Sequence, residues 1–289
     1  MAGYSRREAL KAGAALAAVA SARAAAQEGG SVVKNGRLKQ SVCRWCYAKI
    51  PFEDFCREVA AMGLTAIDLL GPEQWPIAAK HGLICSTGSP GKGGGTIPDG
   101  LNNVALHDAI ARTFAEALPK ARDAKVPNLI TFFGNRNGMS DAQAIDNCVA
   151  GLNRIKPIAE DTGVTVVVEL LNSKVDHKDY QGDRTAFGVE VMKRVASLRV
   201  KLLYDVYHMQ VMEGNVIATL RRHLSLIAHV HTAGVPGRHE LDSGQELQYP
   251  AIAAALAEAG YAGWVAHEFV PTRDHLEGLR EARAAFTAT

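Results

Sequence analysis

The sequence predicts a (β/α)8 TIM barrel, an α/β fold in a single domain, and three observations carry that expectation. Short apolar or β-branched runs recur eight times, and segments of helical periodicity separate them. The 289 residues, 47% hydrophobic and 21% charged, are enough to bury one large core. A doubly wound open sheet is the alternative, but the glycine fingerprint that such a sheet carries after its first strand is absent.

The first 26 residues stand apart from this pattern. Arg6 and Arg7 are followed by an Ala-rich stretch and by small residues before Gln27, the layout of an export signal. The segment is similar to the S-R-R-x-F-L-K signature of twin-arginine export, with Ser5, Leu10 and Lys11 in place and Ala9 where Phe is usual. An Ala-rich amphipathic helix is the other reading. The stretch is too short and too weakly apolar to anchor in a membrane, and no other segment approaches the ~20 apolar residues a span needs. The expectation is a signal over 1–26, a barrel over 27–289 and a periplasmic location, or a cytoplasmic one if the arginines are no signal. Removing residues 1–26 takes away four basic groups and one acidic group, which moves the formal charge from +2 to −1. That balance gives no electrostatic footprint for nucleic acid.

In chain order, the first strand is expected in "KQSVCRWCY" (39–47). Its Cys43 and Cys46 form a lone C-x-x-C in a strand pattern, and the five cysteines, with no framework spacing, read as core thiols. "FEDFCREVAAMG" (52–63) ends on Gly63 as a helix does. Strands follow at "TAIDLLG" (65–71) and "LICSTG" (83–88). "STGSPGKGGGT" (86–96) fails the phosphate-loop spacing because Gly93 follows Lys92, and is expected to be a mobile loop over the barrel mouth. The clearest helix spans 104–125, with Leu106, Ile110, Phe114 and Leu118 on one face and Asp108, Arg112 and Glu116 on the other. "NLITFFGN" (128–135) is the fourth strand, and Ser140 with Gln143 opens the next helix as a capping box. The last four strands are "VTVVVELLN" (164–172), "VKLLYDVYH" (200–208), "IAHVHTAG" (227–234) and "WVAHEFVP" (264–271).

Those last four strands carry the chemistry. Glu169, Asp205 and Glu268 each interrupt an apolar run near its C-terminal end, and His231 does so on the strand between the last two. In such a barrel the C-terminal strand ends open on one face, where side chains from different strands converge. Three carboxylates gathered there would repel severely without a cation. Three oxygen donors and one imidazole suit Mn²⁺ or Mg²⁺, and Zn²⁺ is also compatible.

"ELLN" (169–172), "YDVYHMQ" (204–210), "HVHTAGVPGRHE" (229–240) and "GYAGWVAHEF" (260–269) resemble segments of hydroxypyruvate isomerase and its relatives in the xylose isomerase-like superfamily of sugar phosphate isomerases and epimerases. The resemblance runs from about residue 38 to 275 and is strongest after 160. It implies that Glu169 and Glu268 bind a metal and move the substrate proton, that Asp205 is a metal ligand, and that His208 and Arg238 hold substrate oxygens. His231 departs from the hydroxypyruvate isomerases, where Gln is usual, and resembles the His of ketose 3-epimerases.

The residues suit that chemistry. Moving a hydrogen between adjacent carbons of a hydroxycarbonyl starts from a weakly acidic C–H, and a Lewis acid stabilises the enediolate by roughly several kcal/mol. If one glutamate removes and returns the proton the result is isomerisation; two acting from opposite faces give epimerisation. The guanidinium of Arg238 suits a substrate carboxylate, although an ion pair with Glu240 is the competing use. The loop after strand 5 brings Asn172, Lys174, Asp176 and His177, and with Glu240 these complete the expected pocket lining. The expected partner is a small molecule, with homo-oligomerisation compatible. A non-catalytic sugar binder and an abasic-site endonuclease are the alternatives; the latter needs more histidine ligands and a basic groove.

Overall fold

The computed structural model describes residues 38–287, so the export segment expected at 1–26 lies outside the described residues. Eight strands run in chain order: β1 Lys39–Cys43, β2 Ala66–Asp68, β3 Ile84–Cys85, β4 Asn128–Phe132, β5 Thr165–Leu170, β6 Val200–Asp205, β7 Ile227–Thr232 and β8 Trp264–His267. All pairings are parallel, and β1 lies between β2 and β8, with Ser41 opposite both Ala66 and Ala266. The remaining gap, between β3 and β4, is closed by Gly88. Its N–H donates to the Asn128 carbonyl (2.8 Å) and its carbonyl accepts from Ile130 (3.0 Å). A Cβ at Gly88 would lie 2.9 Å from the Trp75 ring, so this seam needs a residue without one.

Strand residues alternate between the helical layer and the barrel interior. Val166, Val168, Leu170 and Leu202 belong to the large core shared with the helices, whereas Ile130, Val167 and Leu203 form a separate apolar cluster inside the barrel. Two residues beyond an inward residue the chain points inward again. Glu169 follows Val167 and Asp205 follows Leu203, which lifts both carboxylates above the apolar plug at the C-terminal mouth. Asp205 also pairs in register with His231.

The helices are α1 Phe52–Ala61, α2 Trp75–Lys80, α3 His107–Asp123, α4 Asp141–Thr162, α5 Thr185–Val195, α6 Val206–Met212, α7 Val216–His223, α8 Tyr249–Glu258 and α9 His275–Ala285. α3 buries Ile110, Phe114 and Leu118 as its periodicity requires; Leu106 lies one turn earlier, in a 3-10 turn capped by Asn103. Ser140 caps α4 by accepting from the Gln143 N–H (3.3 Å). Among the described residues no helix is long and apolar enough to cross a membrane.

One expectation is corrected. The first strand stops at Cys43, and Arg44–Tyr47 form a 3-10 turn, because the Arg44 guanidinium bonds back to the carbonyls of Tyr47 and Ile50 and folds the chain over the barrel end. The glycine-rich segment that follows β3 lies beside β4. Thr131 donates its hydroxyl to the Gly94 carbonyl (2.9 Å), and Leu101 and Asn102 continue the pairing by donating to Phe132 and Phe133. The five cysteines are free thiols, and four of them are buried.

Candidate active site

Glu169, Asp205, His231 and Glu268 converge at the C-terminal mouth, with one donor atom from each lying within 4.8 Å of the others. His231 Nδ1 is 3.2 Å from Glu169 Oε1 and 2.8 Å from Glu268 Oε2. All four are buried. Asp205 ends β6 and caps α6, accepting from the His208 N–H through Oδ1 (3.2 Å). Its other oxygen, Oδ2, is buried without a hydrogen-bond partner.

The electrostatics record the crowding. Burial pushes the Asp205 carboxyl up to about 7, with Glu268 and Glu169 opposing its ionisation and Arg238 partly offsetting them. Burial likewise raises Glu169. Glu268 is held low despite its burial because His231 and Arg238 lie against it. Burial disfavours charge on His231, but Glu268 and its other neighbours outweigh that and raise it. A buried acceptor with no partner, beside three further donors of mixed oxygen and nitrogen type, is the arrangement a divalent cation satisfies.

Arg238 reaches this centre from the turn after β7, where Gly237 and Arg238 both have positive φ (91° and 60°). For a residue with a Cβ that backbone costs roughly 1–2 kcal/mol. It brings the guanidinium to Glu268 Oε2 (2.6 Å) and to 3.6 Å from Asp205 Oδ2. The same group stacks between two rings, 5.2 Å from the Trp45 centroid and 5.4 Å from that of Tyr207. Trp45 also donates its Nε1–H to Glu268 Oε1 (2.6 Å) and is 43% exposed, so it stands at the rim.

His208 sits in the first turn of α6, fully buried. Its Nδ1 accepts from the Asn172 backbone N–H (3.1 Å), which leaves the proton on Nε2, and Nε2 makes no hydrogen bond, standing 3.6 Å from Asp205 Oδ2. Burial and the neighbouring Arg238 keep this ring neutral. Asn172 supports it from the loop, with its Oδ1 accepting from Val175 and Asp176 and its Nδ2 donating to Asp176. His177 packs beside His208 with ring centroids 5.3 Å apart.

Two of the residues expected in the pocket are engaged elsewhere. Lys174 donates to the carbonyls of Val211 and Met212 at the end of α6, so its ammonium caps a helix. Glu240 accepts from the Thr272 N–H, the Thr272 hydroxyl and the Arg273 N–H, which ties the turn after β7 to the segment after β8. Arg238 accordingly pairs with Glu268 and Asp205, not with Glu240. Four residues of the centre were not singled out beforehand: Trp45, Asp68, Tyr207 and His229. Asp68 carried a usable signal, a carboxylate interrupting the apolar run "AIDLL" of the second strand, as Glu169 and Asp205 interrupt theirs.

Comparison with known proteins gives the centre its context. A family model described as "Xylose isomerase-like TIM barrel" matches residues 56–288. The chain is 38% identical over 117 residues to a 2-oxo-tetronate isomerase of Cupriavidus necator, a match that covers 40% of this chain and 44% of that protein. It is 32% identical over 142 residues to a provisionally named hydroxypyruvate isomerase of Danio rerio, covering 48% and 51%. In these matches the chain spans about half the length of the relatives. A crystal structure titled as an AP endonuclease of family 2 from Brucella melitensis superposes with a TM-score of 0.74 at 24% identity, over 84% of this chain and 96% of that one, a likeness of fold alone.

Proposed function

The chain belongs to the xylose isomerase-like TIM barrel family, and from that premise we propose that it is a metal-dependent isomerase of a small 2-oxo, hydroxy-substituted acid of the hydroxypyruvate or 2-oxo-tetronate type. The observation that carries this reading is the meeting of Glu169, Asp205, His231 and Glu268 under the guanidinium of Arg238. Glu169, Asp205, His231 and Glu268 would hold one divalent cation, which when bound would act as a Lewis acid toward substrate oxygens. Manganese or magnesium suits the oxygen-rich set, and zinc is tolerated by the imidazole.

The chain's own groups divide the remaining work. Glu169 and Glu268 approach from β5 and from the end of β8, on different sides of the mouth, and remove and return the proton of the carbon beside the carbonyl. His208 offers its Nε2–H to a substrate oxygen in a neutral ring, so it donates a hydrogen bond without placing a second cation beside the metal site. Arg238 supplies a planar pair of donors for the substrate carboxylate, and Trp45 and Tyr207 hold that plane in place while shielding it from water. Arg238→Ala is therefore expected to raise the apparent KM by roughly tenfold or more in steady-state kinetics, and to lower kcat by a smaller factor because the guanidinium also holds Glu268 in its ionised form.

A second reading, epimerisation of a ketose or keto-glycoside, is favoured by His231, which stands where the resembled isomerases carry Gln. Incubation in deuterated water with hydroxypyruvate, 2-oxo-tetronates and ketoses, followed by NMR, tests both. Solvent deuterium entering the carbon beside the carbonyl supports proton transfer, and the product's skeleton distinguishes isomer from epimer. If every substrate binds and none exchanges, the protein is a binder and the proposal fails.

A further inference from the structure

Beneath the carboxylates the barrel interior is polar on one side. Asp68, the last residue of β2, is fully buried and accepts from four donors. Ser86 donates its hydroxyl to Oδ1 (2.6 Å), and the Nε2 atoms of His229 and His231 lie 3.1 and 2.8 Å from Oδ2. Cys43 Sγ stands 3.6 Å from the same Oδ2. His229 and His231 are two residues apart on β7 and so face the same interior, one layer below the other.

This arrangement gives His231 two unlike neighbours. Nδ1 faces Glu169 and Glu268, and Nε2 faces Asp68 at 2.8 Å and, farther off, the Cys43 thiol at 3.9 Å. A neutral imidazole has one N–H and one lone pair, and an ionised carboxylate can only accept. Asp68 therefore holds an N–H on Nε2, so that when Nδ1 gives up its proton to bind a cation, its lone pair points toward the upper carboxylates. We propose that Asp68 is a positioning residue that locks the tautomer and orientation of His231 so that Nδ1 can serve the metal centre, an inference that rests on the metal-site reading above.

The same three side chains, Asp68, His229 and His231, could also group around a second cation, and the two uses differ at one atom: a ligand nitrogen must give up its proton, whereas the positioning role keeps the proton on His231 Nε2. The geometry makes Asp68→Asn informative. An amide keeps the volume but has a single neutral acceptor oxygen, so it cannot accept from Ser86 on one side and from both histidines on the other as the carboxylate does. Ser86→Ala removes another partner of Asp68 while leaving its contact with His231 intact.

The test uses the full-length chain labelled with ¹⁵N-histidine, with and without saturating Mg²⁺, together with Mn²⁺ affinity measured by calorimetry. The wild type should show a proton on His231 Nε2 in both conditions. Asp68→Asn should weaken Mn²⁺ binding by about 10–100-fold, the range typical of outer hydrogen-bond partners of metal-bound histidines. Ser86→Ala should change it less than about threefold, and thermal unfolding of both variants controls for loss of fold. An Nε2 without a proton in the wild type overturns the proposal even if Asp68→Asn does not fold. So does Mn²⁺ affinity unchanged in Asp68→Asn, or lost equally in Ser86→Ala. If the wild type binds no Mn²⁺, the metal-site reading fails, while the location of the His231 proton still decides the role of Asp68.

Discussion

Glu169→Gln and Glu268→Gln are each expected to lower turnover by at least about a hundredfold. Gln preserves the shape of Glu and its hydrogen-bonding reach but removes the basicity, and a general base contributes roughly 10²–10⁴ in rate. The two variants should differ in a second respect. Both oxygens of Glu268 are engaged, Oε1 by the Trp45 indole and Oε2 by Arg238 and His231, so Glu268→Gln also loosens the guanidinium and should raise KM. Glu169 touches neither Trp45 nor Arg238 through any hydrogen bond among the described residues, and its Gln variant should lose kcat with KM near the wild-type value. Single-turnover exchange of substrate protons in deuterated water, with metal content measured in each sample, is the check. Exchange at the wild-type rate in both metal-loaded variants would remove the glutamates from proton transfer and turn attention to His208.

Stripping divalent cations is expected to have the other large effect. Lewis-acid stabilisation worth several kcal/mol, taken as about 4, corresponds to roughly a thousandfold in rate. Chelation followed by gel filtration should therefore lower turnover by about that factor, and adding back Mn²⁺ or Mg²⁺ should restore it. Stability should move in the same direction. Without a cation Asp205 Oδ2 is buried with no hydrogen-bond partner, and Asp205 and Glu169 are both raised by burial. A ligand at a hundred times its Kd stabilises the folded state by about 2.7 kcal/mol, which for a domain of this size is on the order of 5–10 °C in Tm. Calorimetric scans of the stripped protein with and without Mn²⁺ measure this. An unchanged Tm together with full activity after stripping would mean that no cation serves the reaction.

Much of the site was legible because strand ends advertise themselves. A carboxylate or imidazole closing an otherwise apolar run is costly unless it faces something polar, and in a parallel barrel the only polar place available to four successive strand ends is the shared mouth. That argument finds Glu169, Asp205, His231 and Glu268 from residue type and position alone. It fails for Lys174 and Glu240, because both lie on irregular segments where no period says which way a side chain turns; one became a helix cap and the other a tie between loops. It also passes over Trp45, since "CRWC" continues an apolar pattern and nothing in that pattern marks where Arg44 folds the chain out of the strand.

The sequence by itself determined the barrel, the order of its strands and helices, and which four strand ends carry ligand-type side chains. These follow from local periodicity and from the alternation of inward and outward residues, which hold whatever the rest of the chain does. The tertiary structure alone decided three things: that Gly88 closes the seam between β3 and β4, that Arg238 lies over Glu268 between Trp45 and Tyr207, and that Asp68 on β2 supports His231 on β7 from below. Each depends on contacts between segments far apart in the chain, and such contacts are set by how the barrel closes and how its loops turn, which no local pattern encodes.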